Sequence, residues 1–168
     1  MNILHSSFDD IDSIFKIYDD ATEYQKKQTI NIWKGFERSL VQKEIEEKRQ
    51  YKIMVDGEIA CVFVINYDDP LIWKERNADP SIYIHRIATN PLFRGGSFVK
   101  QIVEWAKDHA KETGKEFIRM DTFSGNDKLN NYYFTCGFAD KGITQIGLED
   151  DLPAHYRGGS INLFEIKL

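Results

Sequence analysis

Proline is scarce in this chain, with 4 in 168 residues, and no segment is rich in proline, glycine and serine. A disordered linker and a fibrous repeat are therefore both excluded. Cysteine is scarcer: Cys61 and Cys136 lie far apart inside apolar runs, with no Cys-x-x-Cys pair and no Cys/His cluster beside them. That excludes a disulfide scaffold and a zinc module, and two buried free thiols are expected. No apolar run approaches the roughly 20 residues of a membrane span. Met1-Asn2-Ile3-Leu4-His5 has neither the basic nor the apolar segment of a secretory leader. A soluble cytoplasmic protein with no membrane partner is expected. Excess positive charge is missing too: the formal net charge is -5, which argues against nucleic acid as the main partner. That charge suits a cationic amine substrate, and equally a plain solubility role.

What is present is a single-domain length, residues 1–168, with 42% hydrophobic and 29% charged residues. Ser7 precedes Asp10 by three residues and marks a helix start, after which Phe8, Ile11, Ile14, Phe15 and Tyr18 recur at helical spacing. Residues 26–30 read as a connection. A second helix is expected from Trp33 to Arg49, with Trp33, Phe36, Leu40 and Ile45 inward and Glu44, Glu46, Glu47, Lys48 and Arg49 on a solvated face. Strands at 51–55 and 58–67 are joined by Asp56-Gly57, a strong hairpin signal. The polar segment 68–80 reads as a loop. Then come a strand at 81–89, a helix from about Gly96 to Gly114, a strand at 116–123, a short helix at 127–135, and strands at 138–147 and 160–167. The order β-αα-βββ-α-β-α-ββ means an α/β (α+β) fold with helices on both faces of a mixed sheet.

Two units carry chemistry. In the first, the strand Ile82-Tyr83-Ile84-His85-Arg86-Ile87-Ala88-Thr89 runs through Asn90-Pro91-Leu92-Phe93 into Arg94-Gly95-Gly96-Ser97-Phe98-Val99, where a helix opens. Glycine lets backbone approach a ligand, a helix N-terminus offers unpaired N–H groups, and Arg94 adds a full charge; together these suit a diphosphate. In the second, Asn126, Leu129, Tyr133, Gly137 and Phe138 fall at i, i+3, i+7, i+11 and i+12, placing the first three on related faces of one short helix.

At these residues the chain resembles the GNAT superfamily of acyl-CoA-dependent N-acyltransferases, most specifically between Ile82 and Phe138. The loop departs from that family's pattern at Ser97 and Val99, where glycine and glycine or alanine are usual. The resemblance implies a mixed, mostly antiparallel seven-stranded sheet flanked by about four helices. It implies acetyl-CoA as co-substrate, no metal, and an acetyl group passed to a primary amine by direct attack on the thioester. Ile87, Ala88 and Thr89 would pair through backbone groups with the pantetheine arm. Arg94, Gly95, Gly96, Ser97, Phe98 and Val99 would cradle the diphosphate, with Lys128 reaching it. Asn126 would bond the pantetheine or nearby backbone, and Tyr133 would serve as general acid to the thiolate, with Tyr132 its rival.

The proton acceptor is open. His85 suits neutral pH, and Asp121, Asp68, Asp69 and Glu75 are the carboxylate alternatives, beside an ordered water chain. Trp33, His155 and Tyr156 are candidates for contact with the acceptor, which is a small-molecule amine or a protein amino group. A monomer or a homodimer is expected. A non-catalytic CoA-binding sensor of the same fold is the alternative function. A nucleotide-binding module is disfavoured, since neither Gly-x-x-x-x-Gly-Lys-Ser/Thr nor an early Gly-x-Gly-x-x-Gly is present.

Overall fold

The computed structural model describes residues 2–29, 31–148 and 157–168. Seven strands, β1 (Asn2–His5), β2 (Gln50–Val55), β3 (Glu58–Asn66), β4 (Ser81–Thr89), β5 (Phe117–Phe123), β6 (Ala139–Gln145) and β7 (Ser160–Lys167), form one sheet. Their order is β1-β2-β3-β4-β5-β7-β6. The β1–β2, β2–β3, β5–β7 and β6–β7 pairs are antiparallel, and β4–β5 is parallel. Among the described residues five helices accompany them: α1 (Ile11–Lys26), α2 (Arg38–Glu46), α3 (Pro70–Trp73), α4 (Phe98–Thr113) and α5 (Asp127–Thr135). The expected order holds, with α3 added to it.

The chain divides into two compact units, each discontinuous in sequence: Met1–Ile65 with Arg86–Phe98, and Asn66–His85 with Val99–Leu168. In the first, Ile11, Ile14, Ile17 and Tyr18 of α1 meet Val41, Ile45, Val62 and Ala88, with Phe15, Trp33 and Phe36 packed against them. Full burial of each large side chain contributes roughly 1.5–3 kcal/mol. The N-terminal signal works as expected: the Ser7 N–H and hydroxyl donate to Asp10 Oδ2 at 2.7 and 3.0 Å. Phe8, read as part of the apolar face, lies instead in the 3-10 turn ahead of α1 and is 52% exposed. The hairpin forms at Asp56-Gly57, both at positive φ, 50° and 83°, as a two-residue turn of matching twist demands.

The second unit is built on Ile72, Trp73, Tyr83, Ile146, Ile161 and Leu163, with Phe123 against them. At its centre the buried Arg119 donates to Glu165 at 2.8 Å and Asp79 at 2.6 Å, its guanidinium 4.6 Å from the Trp73 ring centroid. In α4, Val99, Ile102, Val103, Ala106 and Ala110 are all buried, as their spacing predicts.

Three further expectations are corrected. The second helix begins at Arg38, not Trp33, because Gly35 interrupts the pattern at a cost of about 1 kcal/mol in a helix interior. Segment 68–80 is not irregular: Pro70 opens the one-turn α3, a 3-10 turn spans Lys74–Ala78, and buried Ile72 and Trp73 anchor the whole. Glu44 is not solvated. It is 3% exposed and ion-paired with Arg86.

Candidate functional site

The second unit brings together three of the side chains from which the proton acceptor was sought. Parallel pairing of β4 with β5 runs from Ser81↔Phe117 to Ile84↔Met120. One step further along both strands come His85 and Asp121, and His85 Nδ1 lies 3.7 Å from Asp121 Oδ1. From the other side Asp69 Oδ2 stands 3.4 Å from His85 Nε2. Asp69 is held at the entry to α3, where its N–H donates to Asn77 Oδ1 at 2.6 Å and its carbonyl accepts from Trp73 N at 2.9 Å. The imidazole is thus flanked by two carboxylates, and all three side chains are nearly buried. Asp68 and Glu75, the other carboxylates considered, are exposed and take no part in these contacts.

Burial pushes the Asp69 carboxyl from the ordinary 3.8 up to about 7, helped by the charge on Asp68 and opposed by a hydrogen bond from the Ile72 backbone. A folded-state pKa raised in this way favours the fold while Asp69 stays protonated. Its contribution is full below the unfolded value near 3.8 and is lost as pH rises through about 7. Asp69→Asn is expected to flatten that part of the stability profile, read from urea midpoints between pH 4 and 8; an unchanged slope would show that Asp69 is ionised in the fold.

Among the described residues Asp69, His85 and Asp121 also form the group whose ligand atoms, within 4.8 Å of one another, lie close enough to hold a metal ion. The closest approaches, however, use different ring nitrogens. An imidazole binds one metal through one nitrogen, so a metal here would use only one of these two nitrogens.

Tyr133 belongs to the same unit, on α5. Both ends of this helix are specified by the residues that carry the resemblance. Asn126 Oδ1 accepts from Leu129 N at 3.1 Å, an N-cap. At the other end Gly137 N donates to Phe134 O at 3.0 Å and Phe138 N to Tyr133 O at 3.3 Å, the Schellman pattern. The Phe138 ring then packs edge-on to Tyr133, 6.3 Å between centroids, and Phe164 does so at 5.2 Å. The spacing therefore fixes the tyrosine in place. Burial, and secondly the Asp121 charge, hold its hydroxyl well above the usual phenol range, so it stays protonated. Asn126 spends its carbonyl on the cap, and Lys128 is exposed on the first turn. Gly137 has φ of 100°, and a Cβ there would meet only Ile166 Cδ1, at an ordinary contact distance of 3.9 Å. Gly137→Ala is expected to cost about 1–2 kcal/mol through backbone strain alone, measured by chemical denaturation, and no loss would mean that the turn relaxes.

Of the remaining predicted residues that are described, all but Val99 lie in the first unit. Ala88 is buried, while Ile87 and Thr89 are half-buried. They follow Arg86, which has φ of 49° inside a strand, a left-handed residue of the kind that marks a bulge. Arg94 and Gly95 are exposed. A Cβ on Gly96 would lie 2.5 Å from the Phe98 ring and 3.1 Å from Phe93 O, so only glycine allows this close approach. Ser97 takes φ of 52°, the conformation for which glycine is usual at that position. Phe98 and Val99 are buried. Trp33 is half-buried, edge-on to Tyr18 and Phe36 at 5.8 and 5.4 Å. His155 and Tyr156 lie outside the described residues.

Residues 11–138 match the model of the acetyltransferase (GNAT) family. The chain belongs to this family and is an acyltransferase. It is 24% identical over 148 residues to the uncharacterized N-acetyltransferase YesJ of Bacillus subtilis, covering 83% of this chain and 82% of that protein. An uncharacterized N-acetyltransferase of Lactobacillus delbrueckii is 27% identical over 96 residues, covering 56% of this chain and 51% of that protein. Among solved structures, a GNAT acetyltransferase of Listeria monocytogenes superposes with a TM-score of 0.78 at 23% identity, covering 99% of this chain and 94% of that one. The yncA protein of Salmonella typhimurium, solved with acetyl-CoA, gives 0.69 at 15% identity, covering 99% and 93%. Likenesses at this identity establish the fold.

Proposed function

We propose that residues 1–168 act as one N-acetyltransferase domain that passes an acetyl group from acetyl-CoA to a primary amine of a small molecule or a protein, by direct attack. The observation that carries this reading is the His85 imidazole between the Asp69 and Asp121 carboxylates. A free alkyl ammonium has a pKa near 10.4 and must lose a proton to become a nucleophile. His85 takes that proton at Nε2, shares it with Asp69, and is oriented through Nδ1 by Asp121.

Acetyl-CoA supplies the activated acyl group as a thioester. The chain's own groups suit it: an Arg94 that meets no carboxylate among the described residues, a glycine turn, and the N–H groups that open the 16-residue α4. Arg94, Gly95, Gly96, Ser97, Phe98 and Val99 hold the diphosphate, with Lys128 as a further cation. Ile87, Ala88 and Thr89 offer backbone groups to the pantetheine, and Asn126 keeps α5 in register for Tyr133. Tyr133, protonated, gives its proton to the leaving thiolate. A covalent acyl-cysteine route is not favoured by Cys61, whose fully buried thiol is pushed up to about 12. Trp33 is the candidate for contact with the acceptor among the described residues; His155 and Tyr156, the other candidates, lie outside them.

Calorimetry with acetyl-CoA, followed by a thiol-release screen over amino acids, polyamines, aminoglycosides and peptide amines, tests the proposal. Binding with amine-dependent thiol release is expected. Binding without turnover on any amine would point to the CoA-binding sensor, and no binding would end both readings.

A further inference from the structure

Arg38, Arg49, Arg86 and Arg119 each pair with a carboxylate: Asp12, Glu47, Glu44, and Asp79 with Glu165. Among the described residues Arg94, like Arg76, meets no carboxylate; its partner is the face of Tyr24, with the guanidinium carbon 4.2 Å from the ring centroid. Tyr24 sits near the end of α1, seven residues after buried Ile17 and three after Ala21, so it extends the inward stripe of that helix to its exposed rim.

The difference in partner matters chemically. A carboxylate would neutralise the guanidinium and occupy its forked donors. An aromatic face attracts the cation through its quadrupole and leaves both the charge and the in-plane N–H groups available to an anion. The backbone below Arg94 is fixed as well. Asn90 N donates to Ala60 O at 2.9 Å, Asn90 Nδ2 to Ile59 O at 3.0 Å, and Asn90 Oδ1 accepts from Leu92 N at 3.1 Å. Against the 3-10 turn so formed, Pro91–Phe93, packs α1 itself. One helix thus supports both the turn and the side chain that follows it.

We propose that Tyr24 is a positioning residue for the coenzyme: its ring presets the Arg94 guanidinium, which meets no carboxylate among the described residues, for the diphosphate. This rests on the reading that the Arg94 turn takes the diphosphate, and the two can be tested apart. The Kd of acetyl-CoA is measured by calorimetry for wild type, Tyr24→Leu, Tyr24→Phe, Arg94→Ala and the Tyr24→Leu/Arg94→Ala double variant, with acetyl-pantetheine, which lacks the diphosphate, as control.

Tyr24→Leu keeps apolar bulk and loses the quadrupole, so acetyl-CoA affinity is expected to fall about two- to fivefold. Tyr24→Phe keeps the ring and is expected to bind like wild type. Arg94→Ala is expected to weaken binding roughly tenfold or more, and Tyr24→Leu to add nothing on that background. Acetyl-pantetheine affinity is expected to be equal throughout. If Arg94→Ala weakens binding while Tyr24→Leu does not, or if Tyr24→Leu weakens it equally without Arg94, the Tyr24 proposal is overturned. If Arg94→Ala itself leaves the Kd unchanged, the diphosphate reading falls instead.

Discussion

Replacing His85 by glutamine is expected to lower amine acetylation about 10²- to 10⁴-fold with acetyl-CoA affinity unchanged. Glutamine keeps the polar contacts but cannot take up a proton. The loss should appear in kcat rather than in coenzyme binding, because His85 is placed against two carboxylates at 3.4 and 3.7 Å and not in the Arg94 turn. A pH signature accompanies it. With Asp69 titrating at about 7, the rate should rise as pH passes through that value, since ionised Asp69 favours proton uptake by the ring. Asp69→Asn should displace this limb while retaining more activity than His85→Gln. A His85→Gln enzyme with the wild-type rate would remove the imidazole from the mechanism and return the role to a water chain.

Replacing Glu44 by alanine is expected to cost about 3–5 kcal/mol of stability. Both partners of the Glu44–Arg86 pair are nine-tenths or more buried, at 4% and 10% side-chain exposure. The Arg86 guanidinium lies 4.8 Å from the Phe36 ring centroid and 5.8 Å from that of Tyr18. Alanine at position 44 would strand that charge in an aromatic enclosure. Burial pushes the Glu44 carboxyl above its ordinary value, and Arg86 offsets only part of this; such a pair is held more by the penalty for breaking it than by net gain. The double replacement Glu44→Leu/Arg86→Met should therefore recover most of the loss. Urea unfolding decides it: a cost under about 1 kcal/mol, as for an exposed pair, would mean that water reaches Arg86.

Why one carboxylate was legible in the sequence and another was not has a physical answer. Where a signal is local, it could be read. The Asn126 cap and the Gly137-Phe138 terminator set α5 to Asp127–Thr135, as expected, and the period of α4 marks its buried face. The partnership of Asp69 with His85 is non-local. It needs α3 to fold, and a single turn is too short to register as periodicity, although Leu71-Ile72-Trp73 was an apolar signal inside a polar stretch. Glu44 stands in a run of charges, and only its helical phase beside Val41 and Ile45 distinguishes it from its solvated neighbours. The left-handed turn at Arg86 has no local signal, since arginine has no preference for that conformation.

The interleaving of the two units has a consequence for how the protein can change. His85, Asp69, Asp121 and Tyr133 all belong to one unit, while Trp33, Phe36, Tyr24 and Arg94 belong to the other. The segment that carries Trp33 and Phe36 packs into a core containing none of the side chains proposed to move protons. On the proposed roles, the choice of amine and the transfer of its proton are carried by different cores, so selection can act on the one through substitutions at Trp33 while His85, Asp69 and Asp121 are retained.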